Sequence, residues 1–366
     1  MKKTVILSSI LLLLWTGIIA QTHPDFTLKY QIKTSDVKNQ ANSGTCWSYA
    51  TISFLETELL RKGKESVDLS EMFYVRYAYL QKAIYYVRLH GLGNFSQGGQ
   101  AHDVTNVLKT FGMVPQEIYN GLHYGENFNA HSEMEMLLKG MLDEVVKNHN
   151  QKLSTTWLTA FTAALDSYLG AVPQSFEYKN KKYSPATFAS DYLNLNATDY
   201  IELTSYNHHP FYTKFDLEIP DNWSHDVYYN IPINELMLVI DNALQNGYSV
   251  CWDGDVSEKG FNHKAGTAEL ITVDTDAIKS TDMQKYRQIT FDNYTTTDDH
   301  LMHITGLATN KNGEKYYLTK NSWGTESNSC NGYLYMSENY TALKAIAIMV
   351  HKDAIPKEIL KKLNIN

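Results

Sequence analysis

Four residue types that could carry acyl-transfer chemistry fall in three short runs. The first run is Val37-Lys38-Asn39-Gln40-Ala41-Asn42-Ser43-Gly44-Thr45-Cys46-Trp47. The second is Asp298-Asp299-His300-Leu301-Met302-His303, and the third is Lys320-Asn321-Ser322-Trp323-Gly324. Cys46 supplies a nucleophile, provided something withdraws its proton, because the thiolate is the reactive form. An imidazole can take that proton and later deliver it to a leaving amine. Asn321 can hold the other imidazole nitrogen, and the Gln40 amide can donate to a developing oxyanion beside the Cys46 backbone N–H. Any one of these residues alone would be unremarkable. Together, in this order, they point to hydrolysis through a covalent thioester.

The elements around them must place the thiol and the imidazole side by side. Residues 46–62 carry Ala50, Phe54, Leu55 and Leu59 at helical spacing, and Gly63 fits a helix stop. Cys46 then opens a helix, where the dipole and free N–H groups favour a thiolate. Asp68-Leu69-Ser70-Glu71 predicts a second helix capped by Ser70. Further helices are expected at 101–111, 130–148, 155–169 and 233–246. Pro210, Pro220 and Pro232 break the chain between them. Runs of strand composition follow at Tyr248–Trp252, Gln288–Phe291, His300–Thr309, Lys315–Asn321, Gly332–Met336 and Ala345–Val350. Asn310-Lys311-Asn312-Gly313 reads as a hairpin turn between two of them. A helical first half and a β-rich second half make an α+β chain.

The 366 residues are 43% hydrophobic and 20% charged, enough for a packed core of one large or two medium domains. The net charge of −8 speaks against a nucleic-acid partner, which needs a basic face. Residues 1–20 read as a signal peptide. Lys2 and Lys3 precede an apolar stretch from Val5 to Ile19, and Gly17-Ile18-Ile19-Ala20 ends it. That stretch is short of the ~20 residues that span a bilayer, so a secreted or periplasmic protein free of the membrane after cleavage is expected. The three cysteines, Cys46, Cys251 and Cys330, exclude a disulfide framework. Cys251 reads as a core thiol, and a bond between Cys251 and Cys330 stays open. His208, His209 and His225 sit in loop-like sequence with no supporting carboxylate or Cys spacing, so no metal and no cofactor is expected.

These motifs resemble the papain-like cysteine peptidases, and within them the bleomycin hydrolase and aminopeptidase C branch. Ser43-Gly44-Thr45-Cys46-Trp47 keeps the Gly, the nucleophile and the aromatic of the papain signature but not its first Cys. The resemblance assigns the oxyanion role to Gln40 and the third catalytic position to Asn321. It makes Trp323 a shield over the His–Asn contact. Gly98-Gly99-Gln100 resembles the substrate groove, whose backbone pairs with an extended peptide. Gly98 and Gly99, with Trp47 and Trp323, are the expected substrate-binding set. The family places a Gly six residues after the catalytic His. Gly306 stands so to His300, which makes His303 a packed strand residue.

The resemblance implies a papain-like fold with a helical left domain over 21–230 and a β-barrel-like right domain over 231–366. The active site would lie in the cleft between them. The stretch from Cys46 to His300 exceeds by roughly 100 residues the ~130–150 found in papain-type enzymes. A helical insertion at about 115–230 is the expected cause. It also implies peptide substrates, aminopeptidase C-like activity and homo-oligomers, hexamers in relatives. In that branch a C-terminal arm enters the cleft and its carboxylate holds the substrate's amine. This chain stops at Leu360-Lys361-Lys362-Leu363-Asn364-Ile365-Asn366, short of that arm. An endopeptidase with an open cleft is therefore the alternative, and a non-catalytic papain-fold binding protein a more distant one.

Overall fold

The computed structural model describes residues 23–148 and 152–365. Residues 1–20, read above as a signal peptide, lie outside the described residues, among which no helix is long and apolar enough to cross a membrane. The helical half is built on α1 (Cys46–Arg61), with α2 (Glu71–Arg88), α3 (Ala101–Phe111), α4 (Ser132–Val146) and α5 (Thr156–Leu169) around it. All the helices expected here form within two residues of their expected ends. Ser70 caps α2 by accepting from Phe73 N at 3.1 Å. Every residue of α1 from Cys46 to Leu59 is buried. The helix is enclosed on all sides, and the only charges so enclosed, Glu56 and Glu58, are paired with Lys38 and Arg61.

The second half is one sheet. After the hairpin β2 (Phe176–Tyr178) and β3 (Lys181–Tyr183), and the single turn α6 (Pro185–Thr187), come β4 (Tyr200–Thr204), β5 (Lys214–Asp216) and β6 (Val227–Asn230). Then follow α7 (Ile233–Gln245), β7 (Val250–Gly254), β8 (Phe261–Asn262) and β9 (Thr267–Ala268). The helices α8 (Thr272–Thr281) and α9 (Met283–Asp292) precede β10 (His300–Asn310), β11 (Lys315–Lys320) and β12 (Tyr333–Ser337). The chain closes with α10 (Glu338–Lys344), β13 (Ala345–His351) and α11 (Lys357–Lys362). The strand order is β5-β6-β4-β13-β7-β10-β11-β12-β9-β8, with β1 (Phe26–Gln31) also pairing with β10. One face of the sheet packs on α7 through Val250, Trp252, Met302 and Ile304. The other, through Cys251 and Leu301, joins the core of the helical half.

Two expectations are corrected, and one strand was not expected. Gln288–Phe291 belongs to α9, not to a strand. Ile289 and Phe291 imitate strand alternation, but Arg287 and Thr290 turn inward at helical spacing, and Asp282 caps the helix by accepting from Lys285 N. The expected boundary at 230 would cut the sheet, because β4 pairs with β13 and β6 pairs with β4. The helical core runs on to Tyr200, and residues 115–199 carry α4, α5, α6 and the helical turn Phe188–Leu193, joined by loops and the β2–β3 hairpin. Finally, β1 was not foreseen. It approaches β10 so closely that a Cβ on Gly306 would lie 2.7 Å from the Tyr30 carbonyl oxygen. Gly306 is therefore required by strand packing.

Candidate active site

Cys46 is the first residue of α1, and His300 is the first residue of β10, the strand that lies against α1. The Cys46 thiol accepts from the backbone N–H of Leu301, the residue after His300. His300 Nε2 donates to Asn321 Oδ1 at 2.8 Å. This assigns the proton to Nε2 and leaves Nδ1 as the free base. The Trp323 ring lies 5.0 Å from the imidazole, centroid to centroid. Asn321 follows β11 directly, and β11 pairs with β10. The two side chains thus meet because their strands are neighbours.

Gln40 lies in the segment that crosses between the halves. Its backbone N–H donates to Ser322 O at 2.8 Å, and Ser322 Oγ donates to its Oε1 at 2.6 Å. Its Nε2 donates to Ser43 O at 2.7 Å, and the amide carries a second N–H. Lys38, two residues earlier, is clamped by Glu56, Asp68 and Glu71. Gln40 is therefore tied to the Cys46 loop and to the residue after Asn321. All four groups are enclosed: Cys46 is 8% exposed, Gln40 7%, His300 4% and Asn321 2%.

The groove residues lie beside the thiol. Trp47 Nε1 donates to Gln97 O at 2.9 Å, and Gly44 N donates to Gln97 Oε1 at 2.7 Å. A Cβ on Gly99 would meet Asp103 Oδ2 at 2.6 Å and the Trp47 ring at 3.0 Å, so only glycine fits there. A Cβ on Gly98 would lie 1.9 Å from Asp221 Oδ2. Asp221 is not among the residues singled out by motif, and the structure sets its carboxylate directly on the groove.

The electrostatics depart from expectation. A helix N-terminus was expected to lower the Cys46 pKa. Burial instead pushes the thiol up to about 12, and the carboxylates of Asp253, Asp298 and Asp221 add to that rise, against the Leu301 N–H. Burial takes His300 down to about 4, although the Asn321 hydrogen bond opposes the fall. The resting pair is therefore neutral thiol and neutral imidazole. Burial, with the three carboxylates adding to it, outweighs the fractional positive charge of one helix end.

The second histidine behaves as expected of a packed strand residue. His303 is fully buried and its Nδ1 lies 2.8 Å from Ser53 Oγ, on the strand face opposite to His300. Sequence reasoning missed His263. Its Nδ1 lies 3.3 Å from Asn321 Nδ2, its Nε2 lies 2.8 Å from Ser327 Oγ, and its ring packs on Trp323 at 4.6 Å. Nothing in the local sequence marks it, since it reaches the site through a turn between two two-residue strands.

Cys46, Cys251 and Cys330 are all free thiols. Of the loop histidines, His208 and His209 do meet a carboxylate, Glu218, with ligand atoms within 4.8 Å of one another. Each Nε2 lies 2.9 Å from one Glu218 oxygen. The polar atoms of that group thus satisfy one another. His225 turns away to Asp216 at 2.6 Å.

Comparison with known proteins agrees with this geometry. Residues 92–366 match the Peptidase C1-like family. The chain is 22% identical to Aminopeptidase G of Lactobacillus delbrueckii subsp. lactis, over 90% of this chain and 83% of the relative. It is 23% identical to Aminopeptidase C of the same organism, over 92% and 84%. It is also 23% identical to the mitochondrial Cysteine proteinase 1 of Saccharomyces cerevisiae, over 95% and 81%. The crystal structure of PepW from Lactobacillus rhamnosis superposes with a TM-score of 0.74 at 19% identity, over 92% of this chain and 84% of that one, which speaks for the fold. With a fold, a buried thiol and imidazole on adjoining elements and a family match over most of its length, this chain belongs to the Peptidase C1-like family and is a papain-like cysteine peptidase of the aminopeptidase C branch.

Proposed function

We propose that the protein is an exported aminopeptidase in which Cys46 attacks the peptide carbonyl, His300 moves the proton, Asn321 orients His300 and Gln40 binds the oxyanion. The observation that carries this reading is the His300 Nε2–Asn321 Oδ1 bond of 2.8 Å, with the Cys46 thiol against the Leu301 N–H next in chain. As Sγ bonds to the carbonyl carbon, its proton passes to His300 Nδ1. The resulting oxyanion accepts from the Gln40 amide and the Cys46 backbone N–H. His300 then gives the proton to the leaving amine as the C–N bond breaks, leaving a thioester. Water, deprotonated by the same imidazole, hydrolyses it and restores the thiol.

Relatives named as aminopeptidases support the exopeptidase part of the reading. Lys2, Lys3 and the apolar stretch after them support export. The test compares fluorogenic peptides with free and with acetylated N-termini. Cleavage confined to the free-amine series is expected, with all cleavage and all iodoacetamide labelling at the site lost in Cys46→Ala. Equal cleavage of blocked peptides would sink the aminopeptidase reading and favour an endopeptidase.

A further inference from the structure

An aminopeptidase must recognise an ammonium group, a cation with three donors, next to its nucleophile. The charges that act most on Cys46 are all carboxylates: Asp253, Asp298 and Asp221. They come from three separate parts of the chain. Asp253 is on β7, paired across the ladder with Leu301 and so on the same face as that residue. Asp298 precedes His300 by two residues, and its Oδ2 accepts from Gln100 Nε2 at 2.9 Å, next to Gly99. Asp221 lies on Gly98.

The charges that act on Asp253 and Asp298 are other carboxylates. Asp253 is 3% exposed, and neither of its oxygens receives a hydrogen bond from an N–H or hydroxyl group of the described residues. The group it faces is another carboxyl, that of Asp298. The nearby Lys82 directs its ammonium to the carbonyls of Ser96 and Gly98 and acts on Asp103 and Asp221. A buried carboxylate without donors is costly, and retention of Asp253 beside a nucleophile suits a site completed by a ligand's positive charge.

The groove is also crossed at this point. Residues 217–226 leave the sheet at β5 and return at β6, and between those strands they reach over to the helical half. Asn94 Nδ2 donates to Pro220 O at 2.7 Å and to Asp221 Oδ1 at 3.2 Å. Trp223 Nε1 donates to Asp103 Oδ2 at 3.0 Å, and Asn106 donates to Asp226 at 2.8 Å. Within the strap, the buried Asn222 amide donates to Asp216, Leu217 O and Asp226 O. The strap is thus folded on itself and pinned at both sides.

We propose that Asp298, Asp221 and Asp253 form the binding site for the α-ammonium group of a peptide, and that the strap carrying Asp221 closes the groove beyond it, limiting cleavage to the N-terminal end. This deepens the aminopeptidase reading and rests on it. One consequence concerns the chemistry. The same carboxylates hold the Cys46 proton in place, so a bound ammonium offsets them and eases proton transfer to His300. A substrate with a free amine activates the nucleophile that cleaves it.

The experiment uses the full chain and one aminoacyl coumarylamide in free, N-acetylated and deaminated forms. Asp298→Asn and Asp221→Asn are tested separately, with circular dichroism to confirm folding. The expected result is a loss of roughly 30-fold or more in kcat/KM for the free-amine form only, the cost of truncating one partner of a buried charge pair. If the wild type cleaves all three forms alike, the aminopeptidase reading itself has failed. If the wild type prefers the free amine and both variants keep that preference undiminished, only the present inference is overturned. Best cleavage of an N-blocked peptide with Lys or Arg preceding the cleaved residue would also overturn it, because the pocket would then read a side chain.

Discussion

Asn321 holds His300 Nε2 at 2.8 Å with its oxygen, while its amide nitrogen lies 3.3 Å from His263 Nδ1. The imidazole of His300 is thus oriented by an amide that is itself oriented by a second imidazole, and His263 is fixed by Ser327 at 2.8 Å. Asn321→Ala removes the orienter, and kcat is expected to fall about 100-fold with KM nearly constant, as for misplacement of a reacting group by an ångström. His263→Ala leaves Asn321 free to rotate, and a smaller fall in kcat, again without a change in KM, is expected. Steady-state kinetics on a free-amine substrate checks both. A rise in KM at constant kcat would show that these residues bind substrate instead.

His300 and His303 should separate cleanly. His300→Ala is expected to lower kcat/KM by roughly 10³-fold, within the range for loss of a general acid–base group. His303 faces away from the thiol, where it meets Ser53 and the edge of Phe54. His303→Ala is expected to lower the melting temperature and leave kcat/KM of the folded enzyme within a few-fold of wild type. A thermal melt beside the kinetic assay distinguishes the two effects.

The contrast between those two histidines shows what is legible in a sequence. His300 could be chosen from its spacing to Gly306, because Gly306 answers to a local steric demand, the approach of Tyr30. The run around Cys46 was equally legible, since a Gly, a nucleophile and an aromatic must sit together on one helix start. Periodicity located α1 to α5 but misread Gln288–Phe291, where four residues cannot separate a two-residue period from a helical one. The carboxylate cluster was invisible for a different reason. Asp221, Asp253 and Asp298 meet only because β7 pairs with β10 and a strap crosses from β5 to β6. No local pattern encodes such a meeting, and the same holds for the rise of the Cys46 pKa, which comes first from burial and is increased by the cluster.

A pH profile of selectivity follows from the same cluster. Burial raises the Asp298 carboxyl to about 7, and Asp221 adds to the rise, while hydrogen bonds from Asp253 and Gln100 oppose it. Below about 7 Asp298 is protonated and cannot hold a cation. Above about 8 the substrate's α-amine loses its own proton. The ratio of kcat/KM for free-amine over N-acetylated substrate is therefore expected to peak between these limits and to decline as pH falls through about 7. Taking the ratio cancels the titration of Cys46 and His300, which serve both substrates. In Asp298→Asn the acid limb of the ratio should disappear. A ratio independent of pH in the wild type would count against a carboxylate as the amine's partner.

The Asp253 carboxyl, which faces another acid, also makes a statement about stability. Burial holds its pKa well above the carboxylate range, and the charge of Asp298 adds to the shift. In the unfolded chain an Asp ionises near ~3.9. Between that value and the raised folded value, the native state binds more protons than the unfolded state. Stability therefore falls as pH rises through this window. Asp253→Asn removes the titrating group and with it the penalty, while its amide N–H can donate to Asp298. The variant is expected to be more stable than wild type by on the order of 1–3 kcal/mol at pH 7–8. Below pH ~4 the gain should vanish, because the wild-type carboxyl is then protonated in both states. Denaturant melts at pH 4 and pH 8 measure the difference. A gain of stability at pH 8 coupled to a loss of free-amine selectivity would show that the acid is kept for binding at the expense of the fold. A variant less stable than wild type at pH 8 would mean that the protein itself supplies a donor to the Asp253 carboxylate, and that its charge needs no ligand.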